Sequence, residues 1–396
     1  MNSNQKYKPR RSFKKPFRGN SSRGTGRKKE RIDIQKFVQP AMKVEQEEKY
    51  VPKHLFSDFN FLPVLKKKII QKGFTHPTPV QDKAIPLALE KKNILGIADT
   101  GTGKTAAFLL PIINDLLTNK SKQTLILAPT RELAIQIKKE FDTFSDRDMK
   151  LFSTVVVGGA PMYAQMRDLK RGVHVVIGTP GRVQDMIRRG LIKLDAISHV
   201  VLDEVDQMLD MGFVKDISAI LEQIPQDSQR FFFSATLAPT IQKLIATFLP
   251  DAEKIILKKQ ATSKNVEQNI VKASKQDKFT VLRTILEKEE VTKTIIFSET
   301  KRDVQKLSDE LKKEGFFVGA LHGDKRYRER VSILNQFKEN RITILVATDV
   351  AARGIDVPDI SHVINYEIPQ TYDTYIHRIG RTGRANKKGN ALTFVL

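Results

Sequence analysis

Residues 98–105, ADTGTGKT, constrain the fold of this chain more than any other segment. The apolar run at residues 93–97 predicts a buried strand before them, and the apolar residues 106–113 predict a helix after them. A strand, a glycine-bearing turn, Gly-Lys-Thr and a helix are the order that a phosphate-binding loop requires. The alternative is a glycine-rich turn with a chance Gly-Lys-Thr, and the flanking strand and helix argue against it.

The residue types in this loop suit a nucleotide phosphate. Gly101 and Gly103 let the backbone approach the phosphates and turn its N–H groups toward them, and the start of the next helix adds a partial positive charge. Lys104 can reach the β- and γ-phosphates, and the Thr105 hydroxyl can ligate Mg²⁺. The general pattern opens with Gly, and this sequence has Ala98 there.

A group of carboxylates follows a later apolar strand. Asp203, Glu204 and Asp206 come at the carboxyl end of the strand predicted at residues 199–202, where the ligand sites of α/β proteins lie. Asp203 could hold Mg²⁺, and Glu204 could orient or deprotonate an attacking water. Such a string alone is more often a solvated loop. The phosphate-binding loop earlier in the chain favours the catalytic interpretation.

Residues 377–384, HRIGRTGR, place arginines at every third position. Arg378, Arg381 and Arg384 could project into a cleft between domains. An arginine supplied to a γ-phosphate contributes about 10³–10⁵ in rate. The alternative is a basic surface loop.

The charge of the chain indicates a polyanionic partner. Its 396 residues carry a formal net charge of +23, and residues 1–30 hold eleven Lys or Arg and one Glu, which gives +10. The sequence has no Cys, which excludes disulfides and thiolate metal sites. No apolar run approaches about 18 residues, so we expect no membrane span and a cytoplasmic location.

Apolar runs alternate with helical segments over most of the chain. This pattern predicts parallel sheets covered on both faces. The predicted parts are a disordered basic tail at 1–50, a first domain at 51–257, a linker at 258–265 and a second domain at 266–396. The tail is interpreted either as a weak nucleic-acid-binding segment or as a solvated solubility tail. The strand-like runs are residues 93–97, 124–128, 154–157, 174–177, 199–202, 231–233, 294–297, 317–321, 342–347, 362–364 and 391–396.

A series of ordered motifs in residues 56–396 closely resembles the DEAD-box RNA helicases of superfamily 2. In chain order these are the Q motif (Phe56 and residues 73–74 and 77–81), motif I (98–105), motif Ia (128–133), the GG motif (158–159), motif Ib (179–182), motif II (203–206), motif III (234–236), motif IV (295–298), motif V (348–356) and motif VI (377–384). Motif I of this family opens with Ala, so Ala98 supports the resemblance.

The resemblance implies an α/β fold with two RecA-like parallel-sheet domains joined by a short linker. It also implies an RNA-stimulated ATPase that uses ATP and Mg²⁺, contacts mainly the RNA sugar-phosphate backbone, and locally unwinds or remodels duplexes. Two alternatives remain: a DNA-directed helicase of the same superfamily, and an RNA chaperone without turnover. The Q motif and a motif II that ends in Asp206 argue against the first. Lys104, Glu204, Arg381 and Arg384 argue against the second.

The resemblance assigns roles to individual residues. The implied catalytic residues are Lys104, Asp203, Glu204, Arg381 and Arg384. The implied nucleotide-binding residues are Phe56, Phe74, Gln81, Ala98, Asp99, Thr100, Gly101, Thr102, Gly103, Lys104, Thr105, Gly354 and Asp356, with Thr105 and Asp203 as metal ligands. The implied RNA-binding residues are Pro129, Thr130, Arg131, Gly158, Gly159, Thr179, Pro180, Gly181, Arg182, Arg330 and Thr348. The implied interdomain coupling residues are Asp206, Ser234, Thr236 and His377.

Two positions depart from the family pattern. Motif II reads DEVD, with Val205 where the family has Ala, but its three carboxylates are retained. We therefore expect the metal and water chemistry to be retained, with altered packing behind the loop. After residues 322–324 the family has Gln and, three residues later, Arg. Here Tyr327 replaces the Gln while Arg330 remains, which affects one expected RNA-side contact.

Overall fold

The computed structural model describes residues 37–38, 50–99, 101–257, 265–352, 357–383 and 387–396. Within these residues the chain forms two separate parallel β-sheets. We refer to the part of the chain that carries the first sheet as the first domain, and to the part that carries the second sheet as the second domain. None of the described helices is long and apolar enough to cross a membrane.

The first sheet has seven described strands, which are β1 (Ile94–Ile97), β2 (Gln123–Leu127), β3 (Ser153–Val156), β4 (Val175–Gly178), β5 (Ile197–Leu202), β6 (Gln229–Ser234) and β7 (Glu253–Ile256). They lie in the order β3-β4-β2-β5-β6-β1-β7, and every neighbouring pair is parallel. The helices of this domain are α1 (Pro63–Gln71), α2 (Pro79–Leu89), α3 (Lys104–Thr118), α4 (Arg131–Phe144), α5 (Met162–Lys170), α6 (Pro180–Arg188), α7 (Val205–Asp210), α8 (Val214–Leu221) and α9 (Pro239–Phe248).

The second sheet has six described strands, which are β8 (Val266–Lys272), β9 (Thr294–Phe297), β10 (Val318–Leu321), β11 (Ile344–Ala347), β12 (His362–Asn365) and β13 (Gly389–Val395). Their order is β10-β11-β9-β12-β13-β8, again with parallel pairs throughout. The helices are α10 (Lys278–Leu286), α11 (Lys301–Lys313), α12 (Tyr327–Lys338), α13 (Asp349–Ala352) and α14 (Tyr372–Ile379).

The inner strands explain why the apolar runs predicted the sheets. Strands β1, β4, β9 and β11 are buried at every residue because helices cover both faces of each sheet. Apolar clusters lie on each side of both sheets. The predicted alternation of strands and helices and the parallel α/β fold are therefore confirmed.

Two edge strands were missed by the sequence analysis. In β7 only one of four residues is buried, and in β8 buried residues alternate with exposed ones at its start. Each strand lies at an edge of its sheet, where fewer neighbours cover it. The apolar pattern therefore thins over residues 251–265 even though β7 lies within them. The predicted linker lies outside the described residues, apart from Asn265.

The predicted basic tail lies outside the described residues, apart from Phe37, Val38 and Tyr50. The Phe37 ring is fully buried in a cluster with Val266, Tyr375, Ile379 and Ala391, and its centroid lies 4.6 Å from that of Tyr375. At this residue the expectation of a wholly disordered tail is wrong, because one large apolar side chain finds a pocket on the second domain.

This pocket predicts a stabilising role for Phe37. Phe37→Ala removes a buried ring and should lower the free energy of unfolding of the second domain by about 1.5–3 kcal/mol. Urea unfolding, together with hydrogen exchange in α14, measures this change. Val38→Ala is the matched control, because Val38 is 50% exposed and its loss should cost less than about 0.5 kcal/mol. Equal effects of the two substitutions would contradict the docking of Phe37.

Candidate active site between the two domains

Three loops of the first domain meet at the carboxyl ends of neighbouring strands. Ala98 follows β1, Asp203 follows β5 and Ser234 ends β6, and these strands are adjacent in the order β5-β6-β1. The Ala98 N–H donates to the Ser234 carbonyl at 3.0 Å, and the Asp203 N–H donates to the Leu127 carbonyl at 3.0 Å. The parallel sheet therefore brings the predicted phosphate loop and acidic group to one edge.

Helix α2 supports the phosphate loop at Gly103. Gly103 has φ of +91°, and a Cβ there would lie 2.5 Å from Gln81 Nε2 and 2.9 Å from Thr78 Oγ1. Gln81 Nε2 donates to the Gly103 carbonyl at 3.0 Å, while its Oε1 accepts from the Thr78 N–H at 2.9 Å. The buried Lys104 ammonium donates to the Ala98 carbonyl across the loop. Only glycine combines this backbone conformation with this close approach.

Glu204 is held in an uncommon conformation at the start of α7. Its φ and ψ are both 54°, in the left-handed region that few non-glycine residues adopt. The pKa of Glu204 is raised to about 7, chiefly by burial and next by the Asp203 carboxylate, while the charges of Lys104 and Arg381 oppose the rise. Burial also raises the pKa of Asp203. Glu204 Oε2 is buried without a hydrogen-bond partner among the described residues.

Asp206 connects the acidic group to the loop after β6. Its Oδ2 accepts from the Ala235 N–H at 3.1 Å and lies 3.5 Å from Thr236 Oγ1. The Thr236 N–H in turn points to Ser234 Oγ at 3.4 Å. Three of the predicted coupling residues therefore lie within one hydrogen-bonded group.

The second domain completes the pocket around these carboxylates. The residues that line it are Asp99, Lys104, Glu204, Asp206, Gln207 and Ala235 of the first domain and Ile376, His377, Gly380 and Arg381 of the second domain. Arg381 is 5% exposed and close enough to Glu204 to lower its pKa. Two predicted residues of the second domain therefore lie beside the acidic group: His377 in α14 and Arg381 in the turn after it.

Arg378 does not project into the cleft, and the expectation that all three arginines do so is wrong for this residue. Its guanidinium forms two hydrogen bonds to the Asp349 carboxylate, at 2.6 and 2.8 Å, and donates to Asn365 Oδ1 and the Glu367 carbonyl. It also lies over the Phe297 ring, 5.0 Å from its centroid. These contacts within the second domain fix α14 and thereby the position of Arg381.

A basic group lies at a second contact between the domains. Arg131 lies over Gly159, where a Cβ would be 2.2 Å from its Nη1. Arg330 of the second domain pairs with Glu132 of the first at 2.8 Å, and both side chains are less than a tenth exposed. Burial lowers the pKa of Arg131, and repulsion from Arg330 and Arg182 lowers it further. Three predicted RNA-binding arginines therefore lie close together, and Arg330 already has an acidic partner.

The remaining predicted residues fall into four sets. Phe56 is buried in the core, edge-on to the half-buried Phe74 ring at 5.6 Å. Thr130 and Thr179 are the N-cap residues of α4 and α6. The neighbouring residues Pro129, Pro180, Gly181 and Arg182 therefore lie near the starts of these helices. Thr348 directly precedes α13, and Gly158 directly precedes Gly159, which lies against Arg131. Thr102 donates to the Asp99 carbonyl, and Gly101 and Thr105 complete the described part of the phosphate loop. Thr100, Gly354, Asp356 and Arg384 lie outside the described residues.

Sequence reasoning missed three residues that shape the site. Gln207 lines the pocket, Glu132 pairs with Arg330, and Asp349 orients Arg378. Glu132 and Asp349 both lie inside segments that the motif series covers. Their partners could not be identified because the pairing residues are distant in sequence.

Comparisons with known proteins agree with this geometry. The model of the DEAD/DEAH box helicase family matches residues 78–244, and the model of the helicase conserved C-terminal domain matches residues 277–386. The chain is 45% identical over 343 residues to the ATP-dependent RNA helicase CshA of Listeria monocytogenes. This match covers 86% of the chain and 66% of that relative, so the chain spans about two thirds of the relative's length.

Solved structures resemble the chain in both domains. S. cerevisiae Dbp5 bound to RNA and ADP BeF3 matches with a TM-score of 0.76 and 35% identity, over 86% of this chain and 89% of that chain. A variant of Dbp5 bound to Nup159, Gle1, IP6 and ADP matches with a TM-score of 0.59 and 34% identity, over 85% and 88%. The TM-score is thus higher for the complex with RNA and ADP BeF3 than for the complex with Nup159, Gle1, IP6 and ADP.

The crowding at Gly103 predicts a specific loss of nucleotide binding. In Gly103→Ala the new methyl group collides with Gln81 and Thr78 and should weaken ATP binding at least about tenfold. Isothermal titration calorimetry measures the affinity. Gly172→Ala is the matched control, because Gly172 lies outside the motifs and also has positive φ (+82°) but no atom within 4 Å of the added Cβ. It should lose stability through backbone strain and keep its ATP affinity. Equal affinities in all three proteins would contradict the support of the loop by α2.

Proposed function

The chain belongs to the DEAD-box family of ATP-dependent RNA helicases, and on this premise we propose that it hydrolyses ATP when RNA is bound and uses domain closure to separate short RNA duplexes. The observation that carries the proposal is the pocket formed by both domains, with Glu204 on one side and Arg381 on the other. Neither domain alone supplies both groups. Hydrolysis is therefore coupled to the approach of the domains.

The residues of the first domain suit ATP and Mg²⁺. The glycine-bearing loop at the start of α3 offers backbone N–H groups and Lys104 to phosphates. Thr105 and Asp203 offer hydroxyl and carboxylate oxygens, which are the ligands that Mg²⁺ prefers. A Mg²⁺ held there would neutralise charge on the β- and γ-phosphates. Gln81, next to the loop, is proposed to recognise adenine together with the aromatic rings of Phe56 and Phe74, which pack edge-on against each other.

Glu204 is proposed to act on the attacking water. Its unpartnered oxygen is buried in the pocket, and burial raises the pKa of its carboxyl to about 7, which suits a group that accepts a proton near neutral pH. Arg381, and by the family pattern Arg384, would stabilise the charge that develops on the γ-phosphate. The left-handed backbone at Glu204 starts α7 at this residue and so places the Glu204 side chain at the pocket, where it would orient the water before the bond breaks.

The group of arginines at the second contact is proposed to follow the RNA backbone. Arg131, Arg182 and Arg330 carry like charges close together, which a row of phosphates would neutralise. Helices α4 and α6 begin directly after Thr130 and Thr179, in the segments that carry Arg131 and Arg182. The partial positive charge at the start of each helix would also favour a phosphate. Contacts of this kind bind the backbone without reading the base sequence. The greater similarity to the RNA-bound Dbp5 complex supports this proposal.

Nucleic-acid specificity tests the proposed function directly. We expect single-stranded RNA to stimulate phosphate release strongly, whereas DNA of the same sequence should stimulate it weakly, because only RNA offers 2′-hydroxyl groups. Phosphate release is measured against the concentration of each nucleic acid. Equal stimulation by DNA would support a DNA-directed helicase, and no ATP turnover with either would support a chaperone without turnover. Either outcome would contradict the proposal.

Glu204 provides a sharper test of the chemistry. Glu204→Gln keeps the shape of the side chain but removes the base, so it should lower RNA-stimulated turnover at least about 10²-fold. Binding of ATP and RNA should stay within about threefold, because the phosphate and metal ligands remain. Glu222→Gln, at an exposed position after α8, is the control and should turn over like the wild type. Near-normal turnover in Glu204→Gln would refute the assigned role.

A further inference from the structure

Tyr327 of the second domain contacts the first domain. It is the first residue of α12, and its half-buried ring packs against an apolar core cluster whose buried members all belong to the first domain. The family pattern has Gln at this position. The chain therefore places an aromatic ring at the contact between its domains, where the family has a smaller amide side chain.

The same face of α12 carries the ion pair between the domains. Arg330 follows Tyr327 by three residues, so the two side chains are neighbours on the helix surface. Arg330 lies 2.8 Å from Glu132, and Tyr327 lies close enough to Glu132 and Arg131 for both charges to act on its hydroxyl. Burial, followed by the Glu132 charge, raises the pKa of Tyr327 and keeps the hydroxyl neutral.

The ring changes the environment of this ion pair. The Coulomb attraction between two opposite charges is weak in water, which screens it, and becomes stronger where water is excluded, at the cost of the hydration of both ions. The Arg330 and Glu132 side chains are only 9% and 6% exposed in this arrangement. In an open arrangement Glu132 and Arg330 would lie apart, because they belong to different domains. Closure therefore forms the pair and buries the ring in one step.

We infer that Tyr327 is a positioning residue for domain closure, whose ring docks on the first domain and shields the Glu132–Arg330 ion pair. The inference rests on the proposed function, because closure is the step that RNA and ATP drive. Tyr327 does not touch the reacting groups: the pocket that holds Glu204 and Arg381 is lined by other residues. Its contribution should appear in the RNA concentration needed for closure and not in the rate of the closed state.

Closure can be measured separately from hydrolysis. The chain has no Cys, so Ser121→Cys and Glu289→Cys, both at exposed positions and on different domains, allow two fluorescent labels to be attached. Energy transfer between the labels is recorded with the ATP analogue AMP-PNP and increasing oligouridylate. Phosphate release is measured in the same variants with ATP. Phe317→Ala is the control, because Phe317 is an aromatic residue of the second domain that is 69% exposed.

Tyr327→Ala should need about tenfold more RNA for half-maximal closure and half-maximal ATPase, with kcat at saturating RNA within about twofold of the wild type. Tyr327→Phe keeps the ring and should behave within about twofold of the wild type, as should Phe317→Ala. In a Glu132→Gln background the effect of Tyr327→Ala should fall below threefold, because the shielded ion pair is already lost.

Several results would overturn the inference. These are an unchanged RNA requirement in Tyr327→Ala, an equal loss in Tyr327→Phe, or a loss of kcat with no change in RNA requirement. If the wild type closes with RNA and AMP-PNP but does not hydrolyse ATP, the proposed function fails while the closure comparison still decides the role of Tyr327. A wild-type protein that does not close at all would overturn both.

Discussion

The structure depends on a group of buried carboxylates that must be balanced by cations from two domains. Asp203 and Glu204 lie at the end of one strand, where burial raises the pKa of both; repulsion from Asp206 adds to the rise at Asp203, and repulsion from Asp203 adds to it at Glu204. The charges of Lys104 in the first domain and Arg381 in the second domain both act to lower the pKa of Glu204. A buried carboxylate pair of this kind remains ionised most readily when both cations are near. The separation of the cations on two domains makes the site sensitive to domain position.

The two contacts between the domains lie at sites suited to different ligands. At the nucleotide side, Arg381 reaches the acidic group because Arg378 is anchored to Asp349 and holds α14 in place. At the other contact, Arg330 pairs with Glu132 beside a group of arginines that suits RNA phosphates. Ligands that bind at either contact would therefore favour the same closed arrangement. This is the physical basis on which ATP and RNA binding would reinforce each other.

The sequence predicted the parts of the site whose chemistry is local. The loop at residues 98–105 and the acidic group at Asp203 were identifiable because their residue types follow buried strands, and parallel strands bring such segments to one edge. Contacts between distant segments were not predictable. The inward turn of Arg378, the pairing of Glu132 and the burial of Phe37 each depend on a partner far away in the chain. The edge strand β7 was missed because most of its residues are exposed.

The most direct test of the split site is the RNA-stimulated ATPase of Arg381→Ala, compared with Arg302→Ala at an exposed position of the same domain. If Arg381 acts on the nucleotide only after closure, its loss should lower the stimulated kcat by about 10³-fold. The rate without RNA should change by no more than a few fold, and Arg302→Ala should match the wild type. A stimulated rate in Arg381→Ala within a few fold of the wild type would show that the second domain does not complete the site.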